Sequence, residues 1–169
     1  MASNAVASGE HSGLTNSLRV MEITGTADTL LQAKGRTIHA VSPSTTVFEA
    51  IQQLADKNIG ALLVMDGTRL LGVFSERDYT RKVALQGRNS RETQVEEVTS
   101  RDVVSVSPAT SVPECMRLMT EHRVRHLPVL DGEQVVGVLS IGDLVNWIIT
   151  EQNATINHLE SYIVGGYPG

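Results

Sequence analysis

The sequence predicts an α+β fold in which two β-α-β-β-α repeats pack as one pseudo-twofold module behind a disordered N-terminal leader. The first observation behind this prediction is an internal repeat at a constant offset of 65 residues. Val41-Ser42-Pro43 recurs as Val106-Ser107-Pro108, and Gly72-Val73-Phe74-Ser75 recurs as Gly137-Val138-Leu139-Ser140. The second observation is size, because a single unit of about 60 residues buries only a marginal core. We therefore expect the two units to pack their sheets together.

Each repeat predicts the same order of elements. An extended piece, 37–41 in the first copy and 103–106 in the second, ends at Ser-Pro, where proline blocks its continuation. A helix follows, because apolar residues recur on one helical face. The residues of these faces are Val47, Ala50, Ile51 and Leu54 in the first copy and Val112, Cys115, Met116 and Met119 in the second. Two apolar runs around Asp-Gly then indicate a hairpin, with a turn that can exceed two residues. A second helix begins near Ser75 and near Ser140, and the last helix is predicted from Ile141 to about Tyr162.

Composition excludes several classes of protein. The chain carries 14 basic and 19 acidic residues, a net charge of −5, whereas general nucleic-acid binders usually have a basic balance. No stretch reaches the ~18 apolar residues of a membrane-spanning helix. The single cysteine, Cys115, cannot form an internal disulfide and is interpreted as a core thiol. His122 and His126 are four residues apart, but a change from helix to strand falls between them, so no metal site is expected.

The chain divides into four predicted parts. Residues 1–25 form the disordered leader, 26–92 the first repeat, 93–150 the second repeat, and 151–169 a C-terminal helix extension and tail. The leader lacks the apolar segment of a secretory signal. A cytoplasmic location is therefore expected.

The motifs of the repeat resemble a known family. Val-Ser-Pro, an apolar strand, Asp-Gly and Gly-Val-x-Ser-x-x-Asp, together with the segment from His126 to Asp131, resemble the tandem cystathionine-beta-synthase (CBS) domain pair between Thr26 and Ile149. The segments 76–79 and 162–167 are similar to small stand-alone CBS-pair proteins of bacteria and plant organelles. The resemblance implies a regulatory, non-catalytic module that modulates a partner protein. It also implies a homodimer and a cleft that binds AMP, ADP, ATP, NAD or S-adenosylmethionine, with magnesium present only if the nucleotide brings it.

The repeated Ser-x-x-Asp turns are the first candidate contacts. Ser75 and Asp78, like Ser140 and Asp143, stand where a strand turns into a helix, and free backbone N–H groups there attract an anion. Each aspartate can accept the hydroxyls of a ribose, and Gly72 and Gly137 are expected to admit a ligand close to the backbone. The alternative interpretation is a capping box, in which the same side chains satisfy the helix terminus internally.

A basic loop before the second hairpin is the other candidate. It contains Arg123, Arg125 and His126, groups that suit charge-assisted contacts to phosphate. The family resemblance assigns phosphate contact to the two residues before Leu127-Pro128, which are Arg125 and His126. The alternative is a solvated loop.

The repeats differ in charge at these positions. The first repeat has Gly60 and Ala61 in place of Arg125 and His126, which puts equal binding at two sites in doubt. Arg77 stands where the second repeat has Gly142, so Arg77 can supply a phosphate contact across the pseudo-twofold axis.

Apolar positions complete the predicted site and an interface. Candidate adenine slots are formed by Ile38, Val41 and Ala61 in the first copy and by Val103, Val106 and Leu127 in the second; each can instead be simple core.

Apolar residues in excess of what one module buries predict a homodimer. These residues are Val83, Leu85, Val145, Trp147, Ile148 and Ile149. The second function considered is a structural or interaction dimer that has lost its ligand.

Overall fold

The computed structural model describes residues 22–165, so most of the predicted leader and the last four residues lie outside the described range. Five helices and five strands are numbered in chain order. They are α1 (Ala27–Lys34), β1 (Ala40–Val41), α2 (Val47–Lys57), β2 (Ala61–Asp66), β3 (Arg69–Ser75), α3 (Glu76–Tyr79), α4 (Val112–His122), β4 (His126–Asp131), β5 (Gln134–Ser140) and α5 (Ile141–Gly165). A π-helical turn, Thr80–Ala84, continues α3, and a 3₁₀ turn, Val95–Glu97, lies between the repeats.

The two sheets have the predicted hairpins at their centres. Strand β2 pairs antiparallel with β3, and β4 pairs antiparallel with β5. Strand β1 adds parallel to β2 over only two residues, and its counterpart in the second repeat is a single bridge from Val106 to Val129. The extended pieces are thus shorter as strands than predicted. The first hairpin turn has two residues, because Gly67 adopts a positive φ of 58° that permits a tight turn.

The internal repeat is visible in the backbone as well as in the sequence. Helices α2 and α4 end at Asn58 and Arg123, equivalent positions that share the left-handed conformation, with φ of 50° and 54°. Each hairpin carries a bulge at the same place, after Val64 and after Val129. The predicted pseudo-twofold α+β module is therefore confirmed.

The segments that precede the two repeats are exchanged between them. Helix α1 buries Leu30 and Leu31 in the core of the second repeat, where Cys115 also lies fully buried. The segment around Val95 is buried in the core of the first repeat. The sequence analysis did not predict helix α1. The helix lies within residues 26–92, the predicted first repeat, but packs into the core of the second repeat. This exchange makes the module intertwined.

Residues 22–25, assigned to the leader by the sequence, are held against the fold. The hydroxyl of Thr24 donates to the carboxylate of Glu151 at 2.8 Å, and the indole N–H of Trp147 donates to the carbonyl of Thr24 at 3.0 Å. The backbone N–H of Val112 donates to the carbonyl of Gly25 at 3.0 Å. The module therefore begins before residue 26, and α5 runs three residues past the expected Tyr162.

Two glycines expected to face a ligand instead face protein. A Cβ on Gly72 would lie 2.2 Å from Cγ2 of Thr99 and 2.7 Å from the carbonyl oxygen of Ser100. A Cβ on Gly137 would lie 2.6 Å from a methyl of Leu31. These glycines allow the exchanged segments to cross the hairpins closely, so the expectation that they admit a ligand was wrong.

Candidate functional site

Two clefts lie between the repeats, related by the pseudo-twofold axis. The first cleft has a volume of about 300 Å³ and the second about 330 Å³. Each takes its Ser-x-x-Asp turn from one repeat and its helix-to-strand loop from the other. Gly60 and His126 line both clefts, and the distance from a Cβ on Gly60 to the His126 ring would be only 3.2 Å. These two residues therefore form the wall between the clefts.

Most of the residues predicted from the sequence line these clefts. The first cleft contains Ser75, Arg77, Asp78, Val103, Arg123, Arg125 and His126, and the second contains Ala61, Ser140, Asp143 and again His126. The prediction that Arg77 crosses to the loop of the other repeat agrees with this arrangement.

Five of the predicted contacts lie outside both clefts. Val41 belongs to the first core, and Val106 and Leu127 belong to the second core. Pro128 is buried opposite Val138 in the hairpin. Ile38 is 36% exposed, and its neighbours Thr37 and His39 line the second cleft instead.

The Ser75 turn forms the capping box that was the alternative interpretation. The backbone N–H and the hydroxyl of Ser75 both donate to Oδ2 of Asp78 at 2.9 Å. Nζ of Lys82 lies 3.0 Å from the other carboxylate oxygen, Oδ1. Capping does not exclude ligand contact, because Oδ1 can accept a further hydrogen bond beside Lys82. Asp78 is therefore held in place at the edge of the first cleft.

The Ser140 turn is built in the same way but has a different cation. The backbone N–H of Ser140 donates to Oδ2 of Asp143 at 2.7 Å. Nζ of Lys34 donates to the same oxygen at 2.5 Å and to the carbonyl of Val138 at 2.8 Å. Burial raises the pKa of Asp143, but the hydrogen bonds from Lys34 and Ser140 outweigh it and hold that pKa below its usual value. Asp143 is thus ionised at neutral pH.

Three guanidinium groups converge on the first cleft. Nη1 of Arg77 donates at 3.0 Å to the carbonyl of Arg123, the left-handed residue that ends α4. Within the described part of the chain, neither Arg77, Arg123 nor Arg125 forms a salt bridge. All three residues are exposed, so their charge is available to an anion, and both the phosphate interpretation and that of a solvated loop stay open.

Sequence reasoning missed four titratable lining residues. Glu76 and Asp102 bring carboxylates to the first cleft, and Lys34 and His39 line the second. The repeat offset places Asp102 opposite Thr37 of the other cleft, a signal that was available. Lys34 had no such signal, because it precedes the matching region and belongs to the unpredicted helix α1.

His126 is partly buried between the clefts, and its surroundings disfavour a positive charge. Burial lowers the pKa of His126 below its ordinary value of 6.5, and the cations Lys34 and Arg125 act in the same direction. The Asp143 carboxylate acts in the opposite direction but does not compensate. His126 is therefore mainly neutral at pH 7, when it can donate one hydrogen bond and accept another.

The part of the chain that the structure describes has neither a metal-binding cluster nor a membrane-spanning helix. Residues 22–161 contain no cluster of three or more histidine, cysteine or acidic side chains that could hold a metal ion. None of the described helices combines the length and the apolar character of a membrane span.

Comparisons with known proteins identify the fold. Residues 35–85 and 95–150 each match the CBS domain family. CBSX3, a mitochondrial CBS domain-containing protein of Arabidopsis thaliana, is 38% identical over 127 residues, which are 72% of this chain and 62% of the plant protein. The chain thus matches less than two thirds of the length of that relative. The CBS domain-containing protein YhcV of Bacillus subtilis is 36% identical over 63% of this chain and 76% of its own length.

A solved structure repeats the same arrangement. A CBS-domain protein of Burkholderia ambifaria MC40-6, classed with signal-transduction proteins, is 52% identical, with a TM-score of 0.74 over 76% of this chain and 96% of its own. Stand-alone pairs of CBS domains are typically regulatory modules. From the two matched segments, the shared fold and the paired clefts, we conclude that this chain belongs to the CBS domain family.

Proposed function

We propose that the protein is a non-catalytic regulatory module that binds adenine nucleotides between its repeats and modulates a partner protein. The candidate ligands are AMP, ADP, ATP and NAD. The observation that carries the proposal is the convergence of Arg77, Arg123 and Arg125 with Asp78 around one cleft. The expected cytoplasmic location stays a prediction.

The side chains of the first cleft suit the phosphate and the ribose of a nucleotide. A guanidinium presents a planar fork that matches phosphate oxygens, and three of them line this cleft with no carboxylate partner among the described residues. The fixed carboxylate of Asp78 can accept hydrogen bonds from ribose hydroxyls. Asp78 is held by the backbone N–H of Ser75 and the Arg77 guanidinium by the carbonyl of Arg123, so these two groups require little ordering when a ligand enters.

An apolar wall completes the cleft. Val73, Val103 and Val104 line it beside the polar groups. A volume of about 300 Å³ is at the lower end of small-ligand pockets, which combine apolar walls with few polar groups. This combination supports a planar base against the valines and the phosphate on the arginines.

The test distinguishes the loss of a phosphate contact from a general disruption of the binding site. AMP and adenosine are titrated calorimetrically into wild type and Arg125→Ala. Loss of a charge-assisted hydrogen bond of ~1.5–3 kcal/mol should weaken AMP by about tenfold or more, while adenosine, which has no phosphate, is nearly unaffected. Arg117→Ala is the control, since Arg117 lies on the exposed face of α4 and pairs with Glu114 and Glu121. Equal losses for AMP and adenosine would contradict a phosphate contact.

A second candidate function is an interaction dimer without a nucleotide. The specific observation is an exposed apolar stripe on α5, formed by Val145, Ile149, Ile156 and Leu159. Contiguous exposed apolar surface is typical of association surfaces, and we propose a second copy of this chain as its partner. Thermal melting distinguishes the two functions, because a nucleotide at 100 times its dissociation constant raises the free energy of unfolding by ~2.7 kcal/mol. A melting temperature unchanged by every nucleotide would leave only the interaction role.

A further inference from the structure

The second half of α5 is uncovered in a single chain. Leu144, Trp147 and Ile148 anchor the first turns of the helix in the second core, whereas residues 152–161 are all exposed. Most helical stability in proteins comes from packing an amphipathic face, and a short helix alone is marginally stable in water. A partner that covers one face of residues 152–161 would therefore stabilise this half of α5.

The apolar stripe on α5, with Gln152 between its halves, has the spacing of a coiled coil. Its members follow one another at intervals of four, three, four and three residues, which is the alternation of d and a positions in a heptad. In chain order they are Val145 (d), Ile149 (a), Gln152 (d), Ile156 (a) and Leu159 (d). The four apolar members are 45–53% exposed, and Gln152 is exposed as well. These five residues form a seam that suits packing against another helix.

The residue types at a and d favour a single partner helix. β-Branched residues at a, combined with leucine at d, favour two parallel strands over larger bundles. Both a positions of the seam are isoleucine, and Leu159 occupies its last d position. The seam therefore suits one further helix that runs in the same direction.

The flanks of the seam indicate a second copy of this chain as the partner. The e and g positions are neutral from Asn146 to Thr155, and the first charge among them is Glu160. Helix α5 has no lysine or arginine, the residues with which surface helices bind anionic lipid. Two copies would meet without repulsion, because e faces g of the other strand in a parallel pair, so that Glu160 would face Thr155.

Gln152 favours one direction of pairing. In a parallel pair in register, each d residue lies opposite its own copy, so two Gln152 amides meet, and an amide can both donate and accept a hydrogen bond. In an antiparallel pair, d residues face a residues, which are isoleucines here, and the Gln152 amide would be buried without a partner. A single polar residue in a coiled-coil seam fixes the register at a cost in stability.

We propose that α5 pairs with α5 of a second copy as a parallel, two-stranded coiled coil in register, with Gln152 opposite Gln152. The coil rests on the interaction dimer of the proposed function and adds the geometry of its interface. The seam from Val145 to Leu159 spans ~21 Å at a rise of ~1.5 Å per residue. Since both helices run in the same direction, the two modules lie at the same end of the coil, where one partner protein can contact both.

Engineered cysteines test the direction and the register in the full-length protein. Ile149→Cys and Leu159→Cys are oxidised separately, and we expect each to form a disulfide with its own copy, because a parallel pair in register aligns every residue with itself. The two positions lie about 15 Å apart along the helix, whereas a disulfide requires Cα atoms within about 7 Å. An antiparallel pair can thus align at most one of the two positions with its own copy.

Ala154→Cys is the matched control, because it places an exposed thiol on the opposite side of the same helix. Cys115 does not compete, since it is fully buried and burial raises the pKa of its thiol to about 11. Covalent dimers from Ile149→Cys and Leu159→Cys, but not from Ala154→Cys, would support the parallel coil. A dimer by sedimentation in which either seam cysteine stays unlinked would overturn the coil and leave the interaction dimer intact. A monomeric wild type would overturn both.

Gln152→Leu tests the residue assigned to the direction of pairing. The variant replaces the polar member of the seam with an apolar one, so the dimer should melt at a higher temperature than wild type. It should also tolerate both directions, so the disulfide yields of Ile149→Cys and Leu159→Cys in this background should fall about twofold. Unchanged yields would overturn the role of Gln152.

Discussion

The ring of His126 shows how a burial effect changes a prediction made from residue type. An ordinary histidine has a pKa of ~6.5, and a histidine of that pKa at a phosphate site would raise AMP affinity between pH 8 and 6. In the structure, burial and the neighbouring Lys34 and Arg125 lower the pKa of His126, although Asp143 acts in the opposite direction. Any gain of affinity from its protonation therefore begins only below pH ~6.5.

The same shift predicts a pH-dependent stability. Because the pKa of His126 is lower in the folded than in the unfolded chain, the unfolded chain binds more protons between the two values. The free energy of unfolding should therefore fall as pH drops below ~6.5, and this loss should be absent in His126→Gln.

Melting temperatures of wild type and His126→Gln between pH 8 and 5 measure the effect. All other titrating groups cancel in the difference between the two proteins. His158→Gln is the control, because His158 is exposed on α5. Parallel curves for wild type and His126→Gln across this range would contradict the prediction.

Gly72 and Gly137 are equivalent glycines at which an exchanged segment crosses a hairpin. Replacing each with alanine should lower the free energy of unfolding to a different extent. Gly72→Ala places a Cβ 2.7 Å from the backbone oxygen of Ser100, which cannot move without the whole segment. Gly137→Ala meets only the flexible end of Leu31, at 2.6 Å. Overpacking of this kind costs ~1–3 kcal/mol, and we expect Gly72→Ala to fall at the upper end and Gly137→Ala at the lower. Urea unfolding measures both, and a larger loss for Gly137→Ala would contradict this ranking.

Helix α1 should be essential for the second core. Leu31 is fully buried there, so Leu31→Ala should lower the free energy of unfolding by ~2–5 kcal/mol through lost contacts and a cavity. Leu85→Ala is the control, because Leu85 is 78% exposed and its loss should change stability by less than ~0.5 kcal/mol. Equal unfolding midpoints for the two variants would show that α1 is only peripheral.

The sequence predicted the elements whose motifs repeat or whose apolar residues recur periodically. It missed the elements that depend on the exchange of segments between the two repeats. Helices α2 and α4 and both hairpins follow from periodicity, and the arginine cleft follows from the charge difference between repeats. Helix α1 was missed although Thr26 caps it with Thr29 and Gly35 ends it, because its eight residues carry only a short apolar face. Lys34 was missed with it. Leu127 and Val41 were misassigned, since strand apolar residues look alike whether they face a core or a cleft.

At the scale of the whole molecule, the exchange ties the two cores into one unit. The N–H of Ala27 donates to the carbonyl of Thr110 at 2.8 Å, and the N–H of Val47 donates to the carbonyl of Thr93 at 2.8 Å. Each repeat thus depends on a segment that precedes the other. A ligand that contacts both repeats in one cleft therefore acts on the entire module, as a regulatory role requires.

Association of two modules is expected along α5. Val145, Ile149, Ile156 and Leu159 are 45–53% exposed and fall on one side of the helix at spacings of four, seven and three residues. Of the other residues that the sequence singled out for the interface, Val83 is buried in the first core, and Trp147 and Ile148 pack against the second. Leu85 remains exposed. Of the stripe, Val145 and Ile149 belong to the set that the sequence indicated, whereas Ile156 and Leu159 were not singled out by it.

Ile149→Glu should convert the dimer to a monomer, because it places a charge in the middle of the apolar stripe, where pairing with a second copy would bury it. Its side chain is half exposed in the single chain, so the fold itself should tolerate the change. Ala154→Glu is the matched control, since residue 154 lies on the opposite side of α5 and gains the same charge. Sedimentation equilibrium at micromolar concentration should find wild type and Ala154→Glu at twice the mass of the chain and Ile149→Glu at the mass of one. A monomeric wild type, or an Ile149→Glu variant that still dimerises, would show that this stripe is not the dimer interface.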